Sequence, residues 1–230
     1  RRQRQMCIRD RYTGHVKAIV GGRGAKTTSL SLNRATASPK QPGSCFKVLS
    51  TYAPGLNECG MTLATTIKDE PYRYASGQPV NNWDNKYIGS ARVRYAIEHS
   101  MNVCAVRTLT ETVGLEKGYK YLENFGFTTL VNNDPNYPGM SDIAQATALG
   151  GITRGVYNIE MTAAYAAIAN SGIYTEPLLY TEILDHDGNV LIDNSKPITR
   201  RVLKESTAFL LTSAMQDVIN RGTGTPARLN

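Results

Sequence analysis

Apolar residues recur at helical spacing along much of the chain, and the breaks between these stretches fall at glycine or at polar turn residues. Residues 159–170 are apolar almost all round, which is typical of a buried helix. Ser90, Ser141 and Asn158 stand where helix-capping residues are favoured. The pattern predicts helices over residues 45–53, from 90 to about 99, and over 103–113, 115–125, 141–150, 159–170 and 204–220.

Alternating apolar and polar positions predict only a few strands. Residues 15–20 alternate and are closed by Gly21 and Gly22, while residues 178–184 and 189–192 flank a polar turn and predict a surface hairpin. Residues 54–88 are rich in Pro, Gly, Asn and Tyr and show little periodicity. A loop this long inside a compact domain is usually functional, and this one holds the only tryptophan, Trp83.

The start of the first long helix carries candidate chemistry. Pro42 and Gly43 interrupt the chain before residues 45–53, which places Ser44 at a helix N-terminus. Residues three apart on a helix share a face, with roughly 5–6 Å between Cβ atoms, so we expect the Lys47 amine to reach the Ser44 hydroxyl. Burial and the positive helix end would lower the pKa of that amine, and free N–H groups of the first turn would stabilise an oxyanion. Ser44 is therefore a candidate nucleophile and Lys47 its candidate base.

Each candidate has a purely structural alternative. Ser44 is also suited to cap its helix, although a capping box favours Glu or Gln where Lys47 stands and a cation in the first turn opposes the helix dipole. Ser100, Met101 and Asn102 fall in a short connection between two predicted helices, where their side chains could face a cleft. Ser100 or Asn102 could equally cap the helix that begins at residue 103. The sequence leaves both interpretations open.

Composition places the chain among globular proteins and narrows its partners. With 230 residues, of which 41% are hydrophobic and 20% charged, it can bury a sizeable core. The net charge is +7, but residues 1–11 contribute most of it, because they hold five arginines and one aspartate. The remaining residues show no clusters of Lys and Arg of the kind that bind nucleic acid. No apolar run is long enough to span a membrane. The four cysteines and three histidines lack metal-site spacing, and we interpret Cys45 and Cys104 as small core residues.

Residues 1–11 differ from the rest of the chain. They show neither a helical nor a strand period, and the part from Met6 to Arg11 resembles a translated adapter sequence. An ordinary basic linker is the alternative. We therefore expect a basic N-terminal stretch over residues 1–11, either non-native or a linker, and one domain over residues 12–230.

Two short motifs, Ser-x-x-Lys at residues 44–47 and Ser-x-Asn at residues 100–102, are accompanied by several longer ones. This pair, when followed by Lys-Thr-Gly, is a known signature of penicillin-binding proteins and serine β-lactamases. Over residues 12–230 the chain closely resembles the transpeptidase domain of bifunctional, class A penicillin-binding proteins. The stretches that carry this resemblance are Thr13-Gly14, Val20-Gly21-Gly22-Arg23, Asn33-Arg34-Ala35-Thr36, Gln41-Pro42-Gly43-Ser44, Glu160-Met161-Thr162-Ala163-Ala164-Tyr165-Ala166 and Gly222-Thr223-Gly224-Thr225.

The resemblance implies an α/β fold with a largely antiparallel sheet flanked by helices on both sides. It also implies a serine D,D-transpeptidase, which cross-links peptidoglycan stem peptides ending in D-Ala-D-Ala and is acylated by β-lactam antibiotics, with no cofactor or metal. By motif position Ser44 is the nucleophile and Lys47 its base, Ser100 relays a proton toward the leaving amine, and Asn102 holds Lys47 and the substrate amide. Substrate-binding positions expected beside them are Gly43, Cys45, Met101 and, as a wall of the cleft, Trp83.

The chain departs from the family pattern in one respect. No Lys-Thr-Gly follows residue 102, so we expect a domain that is incomplete at its C-terminus, lacks its last strands and is inactive as these 230 residues alone. These 230 residues also lack the glycosyltransferase domain that stands upstream in the family, and the sequence leaves open whether that domain and a membrane anchor exist for this protein. The resemblance implies the extracytoplasmic face of a bacterial cell membrane. A D-Ala-D-Ala carboxypeptidase or β-lactamase, and a non-catalytic penicillin-sensing module, stay open as alternatives.

Overall fold

The computed structural model describes residues 6–22, 24–25 and 27–228. Its main hydrophobic core surrounds the helical segment that begins at residue 43, where Phe46, Leu49 and Tyr52 are fully buried. Helices packed around this segment supply most of the other core side chains. Within the described ranges, no helix combines the length and the hydropathy needed to cross a membrane.

The helices follow the sequence pattern over most of the chain. The α-helices are α1 Arg34–Ala37, α2 Ala53–Glu58, α3 Val93–Glu98, α4 Asn102–Thr108, α5 Leu115–Asn124, α6 Asn158–Ala169 and α7 Glu205–Asn220. Short 3₁₀ turns cover Gly43–Cys45, Gln145–Leu149 and Thr225–Ala227, and π-helical segments cover Lys47–Tyr52 and Leu109–Val113. The helices predicted over residues 103–113, 115–125, 159–170 and 204–220 are confirmed to within a few residues.

The strands pair in twos, and every pair is antiparallel. They are β1 Met6–Arg9, β2 Val16–Val20, β3 Thr66–Asp69, β4 Tyr72–Arg73, β5 Pro79–Val80, β6 Gly89–Arg92, β7 Ile173–Thr175, β8 Glu182–Leu184, β9 Val190–Asp193 and β10 Thr199–Arg201. The pairs are β1–β2, β3–β6, β4–β5, β7–β10 and β8–β9. The predicted α/β class with antiparallel strands is confirmed, although the described strands form separate pairs where we expected one sheet.

The helix that begins at Ser44 is longer than predicted. The expected span ended at residue 53, but the chain continues without a break through Pro54 into α2 and ends at Glu58. Pro54 lies in the first turn of α2, directly after the π-helical segment, where the hydrogen-bond pattern changes. Because Pro54 has no N–H, it interrupts the backbone hydrogen-bond ladder at the point where the π-helical pattern changes to the α-helical one.

Two predictions around residues 54–92 are wrong. Residues 54–88 are not one irregular loop, because they contain the end of α2 and the strands β3, β4 and β5. Ser90 does not cap a helix, because it lies in β6 opposite Lys68 of β3, and α3 begins only at Val93. The strand partner lies more than 20 residues earlier in the sequence, so local periodicity could not reveal it.

Other predicted caps also differ. Ser141 accepts a hydrogen bond from the Ile143 amide and forms a local turn, while the helix that follows is only the short 3₁₀ turn Gln145–Leu149. α6 begins one residue before the predicted start, and the Glu160 carboxylate accepts from the Tyr157 amide at 3.3 Å. The predicted surface hairpin is confirmed as β8 and β9, both exposed, although its first strand begins only at Glu182.

The basic N-terminal stretch is part of the fold from residue 6 onward. Met6–Arg9 forms β1 and pairs with β2, and the Arg9 guanidinium donates to the Thr175 carbonyl at the end of β7. The expectation that this stretch has no strand character is therefore wrong for residues 6–9. Residues 1–5 lie outside the described residues.

Candidate active site

Ser44 lies exposed at the start of the central helix. The 3₁₀ turn Gly43–Cys45 precedes the π-helical segment, and Gly43 has a φ of +56°, a left-handed conformation that favours glycine. Pro42 and Gly43 thus end the preceding extended chain and turn it into the helix, as the sequence predicts. The Ser44 side chain is presented to solvent while the residues that follow it are buried.

The turn before Ser44 is held by the loop after residue 149. The Gln41 amide makes two hydrogen bonds to the Ile152 backbone, at 2.5 and 3.1 Å, and Lys40 and Val156 exchange two backbone bonds at 2.9 Å. Gly150, at φ +75°, packs so closely on this turn that a Cβ there would lie 2.5 Å from the Gly43 nitrogen. The position of Ser44 therefore depends on contacts more than 100 residues away in the sequence.

Lys47 lies one helical turn after Ser44 and is buried, with 3% of its surface exposed. Its Nζ donates to the Ser100 carbonyl at 2.5 Å, to the Ser100 Oγ at 2.9 Å and to the Asn102 Oδ1 at 2.6 Å. The structure thus brings three of the predicted site residues together around one amine. The three hydrogens of an ammonium group are all satisfied by these acceptors.

The environment of Lys47 makes its amine easier to deprotonate than an ordinary lysine. Burial lowers the pKa of the amine from 10.5 to about 8, against a smaller opposing effect of Cys104. Burial, together with the nearby Asp69 carboxylate, raises the pKa of Cys104 to about 12, so this thiol is uncharged at neutral pH. The groups bonded to Nζ are all neutral, and none of them pairs with the ammonium charge.

The Ser44 hydroxyl is not hydrogen-bonded to Lys47 in the part of the chain that the structure describes, although both lie on one helix. The expected nucleophile–base contact is therefore not formed in this arrangement. Of the acceptors around Nζ, only the Ser100 hydroxyl can also donate, because a carbonyl or amide oxygen can only accept. A neutral Lys47 amine can accordingly exchange a proton with Ser100 without moving its other partners.

The capping interpretations of Ser100 and Asn102 are wrong. Ser100 connects α3 and α4 in a left-handed conformation, φ +52°, and both of its oxygens face Lys47. The side chain of Asn102 bonds Lys47 and the Asn81 carbonyl, not its own helix. The start of α4 is capped instead by Asn82, whose Oδ1 accepts from the Asn102 amide at 2.9 Å and from the Val103 amide at 3.2 Å.

The predicted substrate-binding side chains are spread around this cluster. Cys45 is exposed next to Ser44, which corrects its interpretation as a core residue, and its carbonyl accepts from the Tyr165 hydroxyl at 2.8 Å. Trp83, with 72% of its surface exposed, and Met101, with 6%, line one cavity of about 170 Å³. That cavity is completed by residues of the same loop and by Tyr95 and His99 of the α3 end. A role of Cys45, Trp83, Met101 and Gly43 in binding substrate stays a prediction.

The glycine-rich turn that follows α7 contacts the same region. The Thr223 amide donates to the Glu98 carbonyl at 3.2 Å, and Gly222 packs directly against that carbonyl. The Arg221 guanidinium also pairs with the Glu98 carboxylate at 3.0 Å. Residues 221–223 therefore hold the end of α3, from which the chain enters the strained turn at Ser100.

The site has the parts of an acyl-transfer centre: an exposed serine at a helix start and a buried amine of lowered pKa. A hydroxyl that can pass a proton lies beside the amine. Among the residues the structure describes, no three His, Cys, Asp or Glu side chains group as metal ligands. The sequence assigned no role in the site to Asn82, Gln41 or Gly150. The one available signal was that Asn81 and Asn82 lie in the segment 54–88, which we expected to be functional.

Comparison with known proteins agrees with this arrangement. The family described as "Penicillin binding protein transpeptidase domain" matches residues 6–229. The chain is 36% identical over 213 residues to Penicillin-binding protein 1F of Bacillus subtilis, covering 93% of this chain and 28% of that protein. It is 34% identical over 229 residues to Penicillin-binding protein 1A of Streptococcus pneumoniae, covering 96% of this chain and 30% of that protein. The chain belongs to the penicillin-binding protein transpeptidase family.

Solved structures show the same fold. Penicillin-Binding Protein 1A from Haemophilus influenzae superposes with a TM-score of 0.77 at 26% identity, over 96% of this chain and 36% of that one. The PonA1 protein from Mycobacterium tuberculosis, solved in complex with penicillin V, superposes with a TM-score of 0.79 at 23% identity, over 95% of this chain and 56% of that one. The chain thus spans less than a third of the length of the two curated relatives, and 36% and 56% of the two solved chains.

Proposed function

We propose that this domain is a serine D,D-transpeptidase that cross-links peptidoglycan stem peptides through an acyl-enzyme on Ser44. The observation that carries the proposal is the buried Lys47 amine, one helical turn from the exposed Ser44 and held by Ser100 and Asn102. Membership of the transpeptidase family supports it. The domain would act on the extracytoplasmic face of a bacterial cell membrane, where stem peptides lie.

In the first half-reaction Ser44 attacks the carbonyl of the penultimate D-Ala. The neutral Lys47 amine accepts the hydroxyl proton, and the Oγ–C bond forms. Free N–H groups of the turn Gly43–Cys45 are suited to stabilise the oxyanion of the tetrahedral intermediate. When the C–N bond breaks, the Ser100 hydroxyl passes a proton to the nitrogen of the leaving D-Ala and recovers one from the Lys47 ammonium, 2.9 Å away.

In the second half-reaction an amine of a neighbouring stem attacks the acyl-enzyme. Its proton returns through Ser100 and Lys47, the new amide forms, and the Ser44 hydroxyl is released. A β-lactam would acylate Ser44 by the same first step, with its ring amide in place of the D-Ala-D-Ala bond. The solved complex of PonA1 with penicillin V shows a β-lactam bound to a protein of this fold and supports that step here.

The test is acylation by a fluorescent penicillin, with the protein at its full natural length. Ser44→Ala should abolish covalent labelling, whereas Ser195→Ala, an exposed serine near the surface hairpin, should leave it unchanged. Mass spectrometry of the labelled protein should place the adduct on the peptide that contains Ser44. Undiminished labelling of the Ser44→Ala variant would refute the proposal.

The acceptor of the acyl group is tested separately. A stem peptide ending in D-Ala-D-Ala should give a cross-linked product when a second peptide with a free amine is added as acyl acceptor. The yield should rise with the concentration of this acceptor peptide. If the peptide is only hydrolysed, with release of D-Ala and no cross-linked product at any acceptor concentration, the protein is instead a carboxypeptidase.

A further inference from the structure

Asn82 is a buried polar side chain outside the sequence motifs, and both ends of its amide are fully hydrogen-bonded. Only 5% of its surface is exposed. Its Oδ1 accepts from the amides of Asn102 and Val103, and its Nδ2 donates to the Asp69 Oδ1 at 2.8 Å and to the Lys86 carbonyl at 2.9 Å. A buried amide with two bonds on each end has one fixed position and one orientation.

Asp69 sets that orientation. This carboxylate is fully buried at the end of β3 and accepts from Asn82 and from the Ile88 amide at 2.9 Å. Within the described chain it forms no salt bridge. A carboxylate can only accept, so the NH₂ end of Asn82 must face Asp69 and its oxygen must face the start of α4. The backbone amides there need an acceptor, because α4 has no side-chain cap of its own.

Asn82 and its neighbour fix both the backbone and the side chain of Asn102. The Asn102 amide is bonded to Asn82, while the Asn102 Nδ2 donates to the Asn81 carbonyl at 2.7 Å. The NH₂ end of Asn102 is therefore engaged, and its Oδ1 is left to face Lys47 at 2.6 Å. Asn81 and Asn82 together thus determine that the oxygen, and not the nitrogen, of the Asn102 side chain faces the Lys47 amine.

The geometry points to Asn82, anchored by Asp69, as a positioning residue that holds Asn102 and the Ser100 turn around the Lys47 amine. This inference rests on the proposed function. Ser100 stands in a left-handed conformation that an L residue adopts only when its surroundings impose it. The cap at the first residues of α4 fixes the chain directly after Ser100, so loss of the cap would let both Lys47 partners move.

The first test removes the cap in the full-length protein. Asn82→Ala should slow acylation by a fluorescent penicillin by about 10- to 100-fold, because a displacement on the order of 1 Å at reacting groups costs about 10²-fold in rate. Asn85→Gly is the matched control, since it removes an amide from the same loop at a residue whose φ of +56° glycine adopts freely. It should acylate at the rate of the unmodified protein.

The second test exchanges the two partners and separates positioning from folding. Asn82→Asp alone buries two carboxylates against each other and should lower both the rate and the Tm. The double variant Asp69→Asn with Asn82→Asp restores every donor and acceptor except the bond to the Lys86 carbonyl. It should recover acylation at least 10-fold over Asn82→Asp. Its carboxylate then stands at the start of α4, hydrogen-bonded to the amide of Asn102, which itself contacts Lys47. We therefore expect the rate of the double variant to rise with pH only at a higher pH than that of the unmodified protein.

The outcomes are distinguishable from failure of the proposed function. If Ser44→Ala loses labelling but Asn82→Ala labels at the normal rate, Ser44 stands and the positioning role of Asn82 is refuted. A double variant that regains the normal Tm without regaining rate, or that keeps the pH profile of the unmodified protein, also refutes it. A protein that is never acylated refutes the proposed function on which the inference rests.

Discussion

The Asn102 Oδ1 lies 2.6 Å from the Lys47 Nζ, and this contact joins two residues 55 positions apart in the chain. The Asn102 side chain is an uncharged amide. The other two groups that accept from Lys47, the Ser100 carbonyl and the Ser100 hydroxyl, are uncharged as well. A carboxylate in any of these places would hold the proton on Lys47 and raise the pKa of the amine. The uncharged acceptors therefore hold the amine in position, while burial lowers its pKa.

The first prediction concerns pH. Acylation by a penicillin should increase with pH through a midpoint near 8, because in the proposed mechanism the reactive species is the neutral amine of Lys47, whose pKa is about 8. A lysine with an ordinary pKa of 10.5 would be neutral about 300-fold less often at pH 7. The measurement is the second-order acylation rate from pH 6 to pH 9.5. A rate that still rises about tenfold per pH unit at pH 9.5 would contradict the lowered pKa.

The second prediction concerns Asn102. Asn102→Asp places a carboxylate beside the amine, raises the pKa of Lys47 and should move the midpoint of the acylation profile to higher pH, with a loss at pH 7 on the order of 10-fold or more. Asn133→Asp adds the same charge at an exposed site and should leave the profile unchanged. Equal profiles for the two variants would show that Asn102 does not act on Lys47.

The alanine variant tests the same contact without adding a charge. Asn102→Ala should impair acylation while the Tm stays within a few degrees, because the Asn102 side chain does not cap α4 and its backbone amide keeps its bond to Asn82. Thermal unfolding and acylation are measured on the same sample. A loss mainly of stability, with a normal rate at low temperature, would return Asn102 to a structural role.

The third prediction concerns the cysteines. All four are free, and they differ in exposure: Cys45 is exposed, Cys7 and Cys59 are partly covered and Cys104 is buried. An alkylating reagent should therefore modify Cys45 readily and spare Cys104 in the folded protein, because access limits the reaction. Alkylation after denaturation without a reducing agent should label all four. Mass spectrometry that finds a missing pair of labels would reveal a disulfide.

The sequence located the parts of the site that depend on short-range geometry. Lys47 follows Ser44 by three residues, and this spacing predicts that both lie on one helix, although the described structure shows no hydrogen bond between them. The helices α5, α6 and α7 were predicted well from local sequence, because α5 and α7 keep a helical period of apolar positions and α6 is apolar almost all round.

Long-range contacts were not predictable in the same way. β6 reads locally as the start of a helix, and only its pairing with β3 makes it a strand. Asn82 caps a helix that begins 20 residues later, beyond the range in which capping signals are sought. β1 has no visible period of its own and becomes a strand by pairing with β2.

The last prediction concerns Gly150, which packs on the turn before Ser44. It has a φ of +75°, and a Cβ added there would meet the backbone of Gly43, so the turn must shift. Gly188→Ala is a matched control, because Gly188 has a φ of +84° but lies in the surface hairpin turn with nothing within 4 Å of an added Cβ. Both variants carry the strain of a left-handed alanine, about 1–2 kcal/mol, and should lose similar stability on that account.

Only Gly150→Ala should also slow acylation, by about 10²-fold, since it displaces the backbone that carries the proposed nucleophile, Ser44, and the proposed oxyanion donors. Acylation rates and Tm values of the two variants are compared with those of the unmodified protein. Equal acylation rates for both variants would mean that the turn tolerates the added methyl group. In that case the close packing of Gly150 on Gly43 would not determine the position of Ser44.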